Sequence, residues 1–125
     1  MPVSELFFKD LTETIIGSAM NVHTQIGPGF PEIIYQRALA IELQQNSILV
    51  EIQKDMDIYY SAIFIGRRRI DMLIEKKVLV ELKALPYMDL NWDIQVLNYL
   101  KIFGIKVGLL LNFGCDSLRF KRFIK

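Results

Sequence analysis

Three side chains near the middle of the chain could do chemistry together: Asp71, Glu81 and Lys83. Side chains on a strand alternate between faces, so Glu81 and Lys83 share a face and Leu82 lies on the other. If residues 75–77 form a three-residue loop, position 74 pairs with 78 and Asp71 falls opposite Glu81. One face of this hairpin then carries Ile70, Met72, Ile74, Val78, Val80 and Leu82. The other carries Asp71, Leu73, Leu79, Glu81 and Lys83. Two carboxylates held opposite each other repel, and in a low-dielectric cleft a cation or a shared proton must relieve them. A hard divalent cation does so through its preference for oxygen ligands. It also polarises a phosphodiester and lowers the pKa of water, while a neighbouring lysine orients the nucleophile or stabilises transition-state charge. The trio therefore fits metal-assisted phosphodiester hydrolysis. A salt-bridge cluster on a solvated strand face is the plainer alternative, since an isolated D…ExK pattern is common.

The elements that must position these residues are legible in the hydrophobic periodicity. In residues 4–25 and just beyond, Leu6, Phe7, Leu11, Ile15, Ala19, Val22 and Ile26 recur at steps of three and four, the period of an amphipathic helix. Gly27-Pro28-Gly29 breaks it, and Pro31 suits the first turn of a second helix ending near Asn46. That helix carries Glu32, Tyr35 and Gln36 largely on one face. Residues 48–53, 57–65, 69–74 and 78–83 are rich in Ile, Val, Leu and Tyr and are separated by charged breaks, a strand signature. Pro86 ends the last of them. Asp89 or Asn91 caps a helix over residues 92–103, with Ile94, Leu97 and Leu100 as its apolar side and Gln95 and Tyr99 on a shared face. Gly104 stops it. Residues 106–112 read as a buried strand and 118–124 as a short edge strand. The order α-α-β-β-β-β-α-β-β predicts an α/β fold, a mixed sheet flanked by helices, in a single domain spanning 1–125.

Composition narrows the function classes. Fifteen Lys and Arg against fourteen Asp and Glu leave a net charge of +1, unlike a protein that coats nucleic acid. Phosphate contact must then come from local patches such as Arg67-Arg68-Arg69, or Arg119, Lys121, Arg122 and Lys125. A single cysteine, Cys115, excludes an internal disulfide framework and a cysteine-based zinc site. His23, the only histidine, reads as a capping or packing residue. Trp92 reads as a packing anchor. The 52% hydrophobic share supports a packed core and hints at a homo-oligomer interface. The N-terminal residues lack the apolar run of a signal peptide, and no apolar run reaches the length that spans a bilayer, so a cytoplasmic protein is expected.

Asp71, then Glu81-Leu82-Lys83, then Gln95-Val96-Leu97-Asn98-Tyr99 resembles the PD-(D/E)xK nuclease superfamily with its Q-x-x-x-Y helix motif. Gly29-Phe30-Pro31-Glu32-Ile33-Ile34-Tyr35 resembles the motif that names the GxxExxY family, a branch of that superfamily. The resemblance runs from about Leu11 to Phe120 and includes Val22-His23, Gly27-Pro28-Gly29 and Leu111-Asn112-Phe113-Gly114. It implies a restriction-endonuclease-like core, a Mg²⁺ or Mn²⁺ cofactor, and a nuclease acting on DNA or RNA. It implies Asp71 and Glu81 as direct metal ligands, with the Leu82 carbonyl and Glu32 as further ones. Lys83 would position the nucleophile, with Gln95 also in the catalytic set. Tyr99, Tyr35 and Arg69 would support the site or touch nucleic acid. Ile70 stands where the superfamily's name has proline. A catalytically silent nuclease-fold module, binding nucleic acid or protein and possibly dimeric, is the alternative.

Overall fold

The computed structural model describes residues 8–125. Among these residues three helices, α1 (Lys9–Ile26), α2 (Glu32–Gln45) and α3 (Leu90–Phe103), surround five strands, β1 (Val50–Tyr60), β2 (Ile63–Ile74), β3 (Val78–Lys83), β4 (Val107–Asn112) and β5 (Arg119–Ile124). The expected α/β class and mixed sheet hold. The strands lie in the order β1-β2-β3-β4-β5, with β3 and β4 parallel and the other neighbours antiparallel. The α3 crossover supplies the connection that a parallel pair needs. Among the described residues no helix is long and apolar enough to cross a membrane.

The run before α3 holds three strands where four were expected. Gly66-Arg67-Arg68 is not a break: Arg67 pairs across the ladder with Asp57 and Arg69 with Asp55. Those charges are cross-strand partners, which stabilise a ladder rather than interrupt it. The turn falls instead at Ser61 and Ala62, both left-handed with φ of 49° and 64°, a two-residue loop without the glycine that usually marks one. Residues 4–7, read as part of the first helix, lie outside the described residues.

Apolar packing divides into two layers. Ile15, Ala19 and Val22 of α1 and Tyr35, Leu39 and Leu43 of α2 cover one sheet face, meeting Met72, Val80, Leu82, Leu109 and Leu111. Val96 and Leu100 of α3 cover the other, meeting Leu73, Leu79 and Leu110. Buried on both faces, β3 and β4 read as near-continuous apolar runs, as central parallel strands do. At Gly108 a Cβ would come within 2.9 Å of Val96 Cγ1, so this glycine lets α3 sit close on β4. Ile70 corrects the hairpin's face assignment: it packs with Leu73 and Leu79, not with Met72 and Ile74.

Candidate active site

The β2–β3 hairpin closes as its sequence predicts. Ile74 pairs with Val78, Leu73 with Leu79 and Met72 with Val80. The loop is residues 75–77, with Glu75 and Lys76 left-handed and the Lys77 N–H donating to the Ile74 carbonyl at 2.9 Å. One step beyond Met72–Val80 the backbone ladder gives way to carboxylates. The Leu82 N–H donates to Asp71 Oδ2 at 2.8 Å, and the Asp71 N–H to Glu81 Oε1 at 3.3 Å. On the β1 side the ladder runs Ile52–Met72 and Lys54–Ile70, and Gln53, between them, takes φ of 48°. A left-handed non-glycine residue costs on the order of 1 kcal/mol. Here it opens the ladder beside Asp71. No sequence signal marks Gln53.

Glu32 enters from the first turn of α2. Tyr35 fixes that turn: its hydroxyl donates to the Gly27 carbonyl at 2.6 Å and accepts the Phe30 N–H at 3.2 Å. Its ring is fully buried and stacks on Phe113 at 4.7 Å. Tyr35 therefore pins the Gly27-Pro28-Gly29 turn against the helix that bears Glu32, and its burial excludes contact with nucleic acid. Lys83 lies with its ammonium 5.4 Å from the centre of the Trp92 ring, a cation–π contact with the first turn of α3. The loop after Lys83 is held from β4. Buried Asn112 accepts the Leu85 N–H at 3.1 Å and the Gly114 N–H at 3.0 Å, and donates to the Tyr87 carbonyl at 2.8 Å. A Cβ on Gly114 would lie 2.2 Å from Leu85 N, so only glycine permits this approach.

Electrostatics joins four of these residues. Burial first, then the Asp71 carboxylate, pushes the Glu81 carboxyl up to about 8, while the hydrogen bond from the Asp71 N–H and the Lys83 charge pull it down. Partial burial and Asp71 also raise the Glu32 carboxyl, against Lys83. Glu32 and Glu81 thus each feel Asp71 and Lys83, with Glu81 buried and Glu32 at the solvent edge. Gln95 donates to the Tyr99 hydroxyl at 3.3 Å on α3. Arg69 is not drawn to this cluster, because Asp55 holds its guanidinium at 2.9 Å. His23 packs, as expected, with Nε2 2.9 Å from the Cys115 carbonyl.

Residues 9–123 match the sequence profile of the PD-(D/E)XK nuclease superfamily. The chain belongs to that superfamily. The solved structure titled "Crystal structure of SSO0001" aligns with a TM-score of 0.52 at 21% identity, over 74% of this chain and 48% of that one. The likeness supports the restriction-endonuclease-like fold, and the chain spans about half the length of that protein. No curated protein matches it.

Superfamily members commonly use a divalent metal, and the donor set here suits one. Asp71 and Glu81 are hard oxygen donors whose mutual repulsion a cation relieves. A strand residue projects both its backbone polar groups to one edge. The Leu82 N–H points at Asp71, so its carbonyl faces the same opened edge. Among the described residues no three His, Cys, Asp or Glu side chains converge tightly enough to cage an ion. Mg²⁺ does not require that, since it is usually held by one or two carboxylates and keeps several waters. The sequence sets Gln36 on the Glu32 face of α2 without a stated part in the chemistry. It lies one turn after Glu32, is buried, and its Nε2 has no hydrogen-bond partner among the described residues. Such a group is costly unless it serves a ligand.

Proposed function

We propose that this chain, as one nuclease-like domain of the GxxExxY branch, is a metal-dependent phosphodiester hydrolase acting on DNA or RNA in the cytoplasm. The observation that carries the reading is the pair Asp71 and Glu81 on the β2–β3 hairpin: the Glu81 carboxylate accepts the Asp71 N–H, the Asp71 carboxylate accepts the Leu82 N–H, and Lys83 lies near enough to act on Glu81 electrostatically. A structural ion-pair network would bring a cation into contact with each acid, whereas among the described residues neither Asp71 nor Glu81 is in an ion pair. A bound Mg²⁺ or Mn²⁺ supplies charge neutralisation and Lewis-acid polarisation of the scissile phosphate.

The residues of the chain do the rest. Asp71, Glu81 and the Leu82 carbonyl hold the cation, and Glu32 approaches from α2 as a further or water-bridged ligand. Lys83, aimed by Trp92, orients the attacking water and stabilises the negative charge that builds on the phosphorus oxygens. Gln95 and Tyr99, hydrogen-bonded to each other, brace the α3 side of the cleft. The test is a cleavage assay on labelled single- and double-stranded DNA and RNA, with Mg²⁺ or Mn²⁺ against EDTA. Metal-dependent cleavage that Lys83→Ala abolishes is the expected result. Metal binding by calorimetry without cleavage of any substrate would assign a silent binding module instead.

A further inference from the structure

The β1–β2 hairpin outgrows the sheet. β3 pairs with β2 only from Met72 to Ile74, whereas the β1–β2 ladder runs on to Tyr60–Ile63. Beyond Asp71 this two-stranded arm extends for roughly 25 Å at the usual rise per strand residue. Its outer half is covered by neither helix layer, and its aromatics face solvent: Tyr59 is 59% exposed, Tyr60 73% and Phe64 50%. Tyr59 and Phe64 meet edge to face at 6.1 Å, and the Arg67 guanidinium lies 5.6 Å from the Phe64 ring centre. Ile65 is extra in the ladder, since Ile58 faces Gly66 and Tyr59 faces Phe64, and such a bulge increases local twist. Lys54, Arg67 and Arg69 on the arm are paired with Glu51, Asp57 and Asp55 at 2.7, 2.6 and 2.9 Å, which leaves Arg68 as its cation outside any such pair among the described residues. Arg68 has no carboxylate partner among the described residues; its Nη1 donates only to the Arg67 carbonyl.

We infer that the arm is a binding platform for single-stranded nucleic acid, feeding the strand toward the Asp71–Glu81 site at its base. Exposed aromatics interleaved with cations stack unpaired bases while neutralising phosphates. A ribbon reading duplex base edges in a major groove needs free polar side chains; on this arm Asp55 and Asp57 are already tied to Arg69 and Arg67. An apolar protein partner leaves the exposed Arg68 guanidinium unused. The inference deepens the nuclease reading and rests on it, but binding and cleavage are separable. Fluorescence anisotropy of the full chain in EDTA, where no metal-dependent cleavage proceeds, measures binding to a labelled oligothymidine and to a duplex of equal length. The single strand is expected to bind more tightly. Tyr59→Ala and Phe64→Ala should each weaken binding about fivefold or more, with circular dichroism unchanged. Arg68→Ala should reduce the salt slope of log affinity by roughly 0.7. Equal or tighter duplex binding, or aromatic variants that bind the oligothymidine as well as wild type, overturns the inference. So does a dimer in sedimentation that Phe64→Ala dissolves, because a second copy then covers the arm. Cleavage is scored separately, so loss of the nuclease reading leaves the binding result intact.

Discussion

Strand β2 handles charge in two opposite ways within a few residues. At Arg67 and Arg69 each cation meets an acid across the ladder, at 2.6 and 2.9 Å, with both partners well exposed. At Asp71 the neighbour is another acid, Glu81, and it is buried. Exposed pairs contribute little to stability and demand no explanation. A buried pair of like charge opposes folding and persists where a cation or a proton is meant to join it. The contrast locates function better than charge density does: the three consecutive arginines are the conspicuous run in the sequence, yet two of them are occupied by partners in the structure.

The largest effects should separate these two patches. Asp71→Ala and Glu81→Ala are expected to lose both Mn²⁺ affinity and cleavage, the latter by about 10²-fold or more. Lys83→Ala should lose cleavage to a similar degree while calorimetry finds the ion still bound, because the lysine acts on water and phosphate rather than on the metal. Asp57→Ala, on the exposed patch, should change neither by more than a few fold. Equal Mn²⁺ affinity in wild type and Glu81→Ala would erase the distinction.

Stability in the absence of metal sharpens the contrast with the opposite sign. The Glu81 carboxyl titrates near 8 in the folded chain against 4.5 ordinarily. Between those values the folded state holds a proton that the unfolded state has lost, so stability falls as pH rises through this window. Glu81→Gln removes that dependence. In EDTA at pH 8 it should be more stable than wild type by on the order of 2 kcal/mol, a rise in Tm of roughly 5 °C or more. At pH 4.5 the two should coincide. Mg²⁺ at pH 8 should raise the wild-type Tm and leave the variant's unchanged.

Much of this was legible in the sequence, and what was not has identifiable causes. The helix periods, the odd loop at residues 75–77 and the Met72–Val80 register follow from one buried face with period two or 3.6, and the structure reproduces them. The merged β2 strand was missed because local charge patterning cannot distinguish a turn from a ladder whose opposite strand carries the complementary charges. Ile70's change of face was missed because strict alternation fails where Gln53 leaves the ladder at φ of 48°. Tyr35 was assigned by its motif, but its work as a pin for the turn before Glu32 depends on Phe113, far away in the chain. Arg69 looked available because its partner, Asp55, is fourteen residues earlier.

The brace behind Lys83 tests the scaffold rather than the charges. A methyl group on Gly114 has nowhere to go, since Leu85 N and the Ala84 carbonyl carbon lie 2.2 and 2.5 Å from its position. Gly114→Ala should therefore destabilise the fold by about 3 kcal/mol, at all pH values alike, in contrast to the pH-dependent gain of Glu81→Gln. Urea denaturation at pH 5 and pH 8 makes the comparison. A loss confined to the higher pH would tie Gly114 to the acid pair instead of to the loop it closes.

The smallest effect belongs to the pair that resembles the site least. Asp55 receives the Arg69 Nε–H at 2.9 Å, and that bond, the largest cause, holds its carboxyl below the ordinary range. A lowered carboxyl contributes stability above its unfolded pKa and loses it as pH falls, the reverse of Glu81. Both partners stand in solvent, however, where screening and side-chain entropy offset most of the attraction. Asp55→Asn should thus lower Tm only slightly at low salt and pH 7. The difference should vanish at 1 M salt, where the screening length shrinks to about 3 Å, and again in acid, where the wild-type carboxyl is protonated. Cleavage should be unaffected, because the Arg69 guanidinium and Asp55 sit outside the acid cluster. A large loss of cleavage in Asp55→Asn that high salt does not reproduce would make Arg69 part of the site, and the two patches of β2 would then have to be read as one.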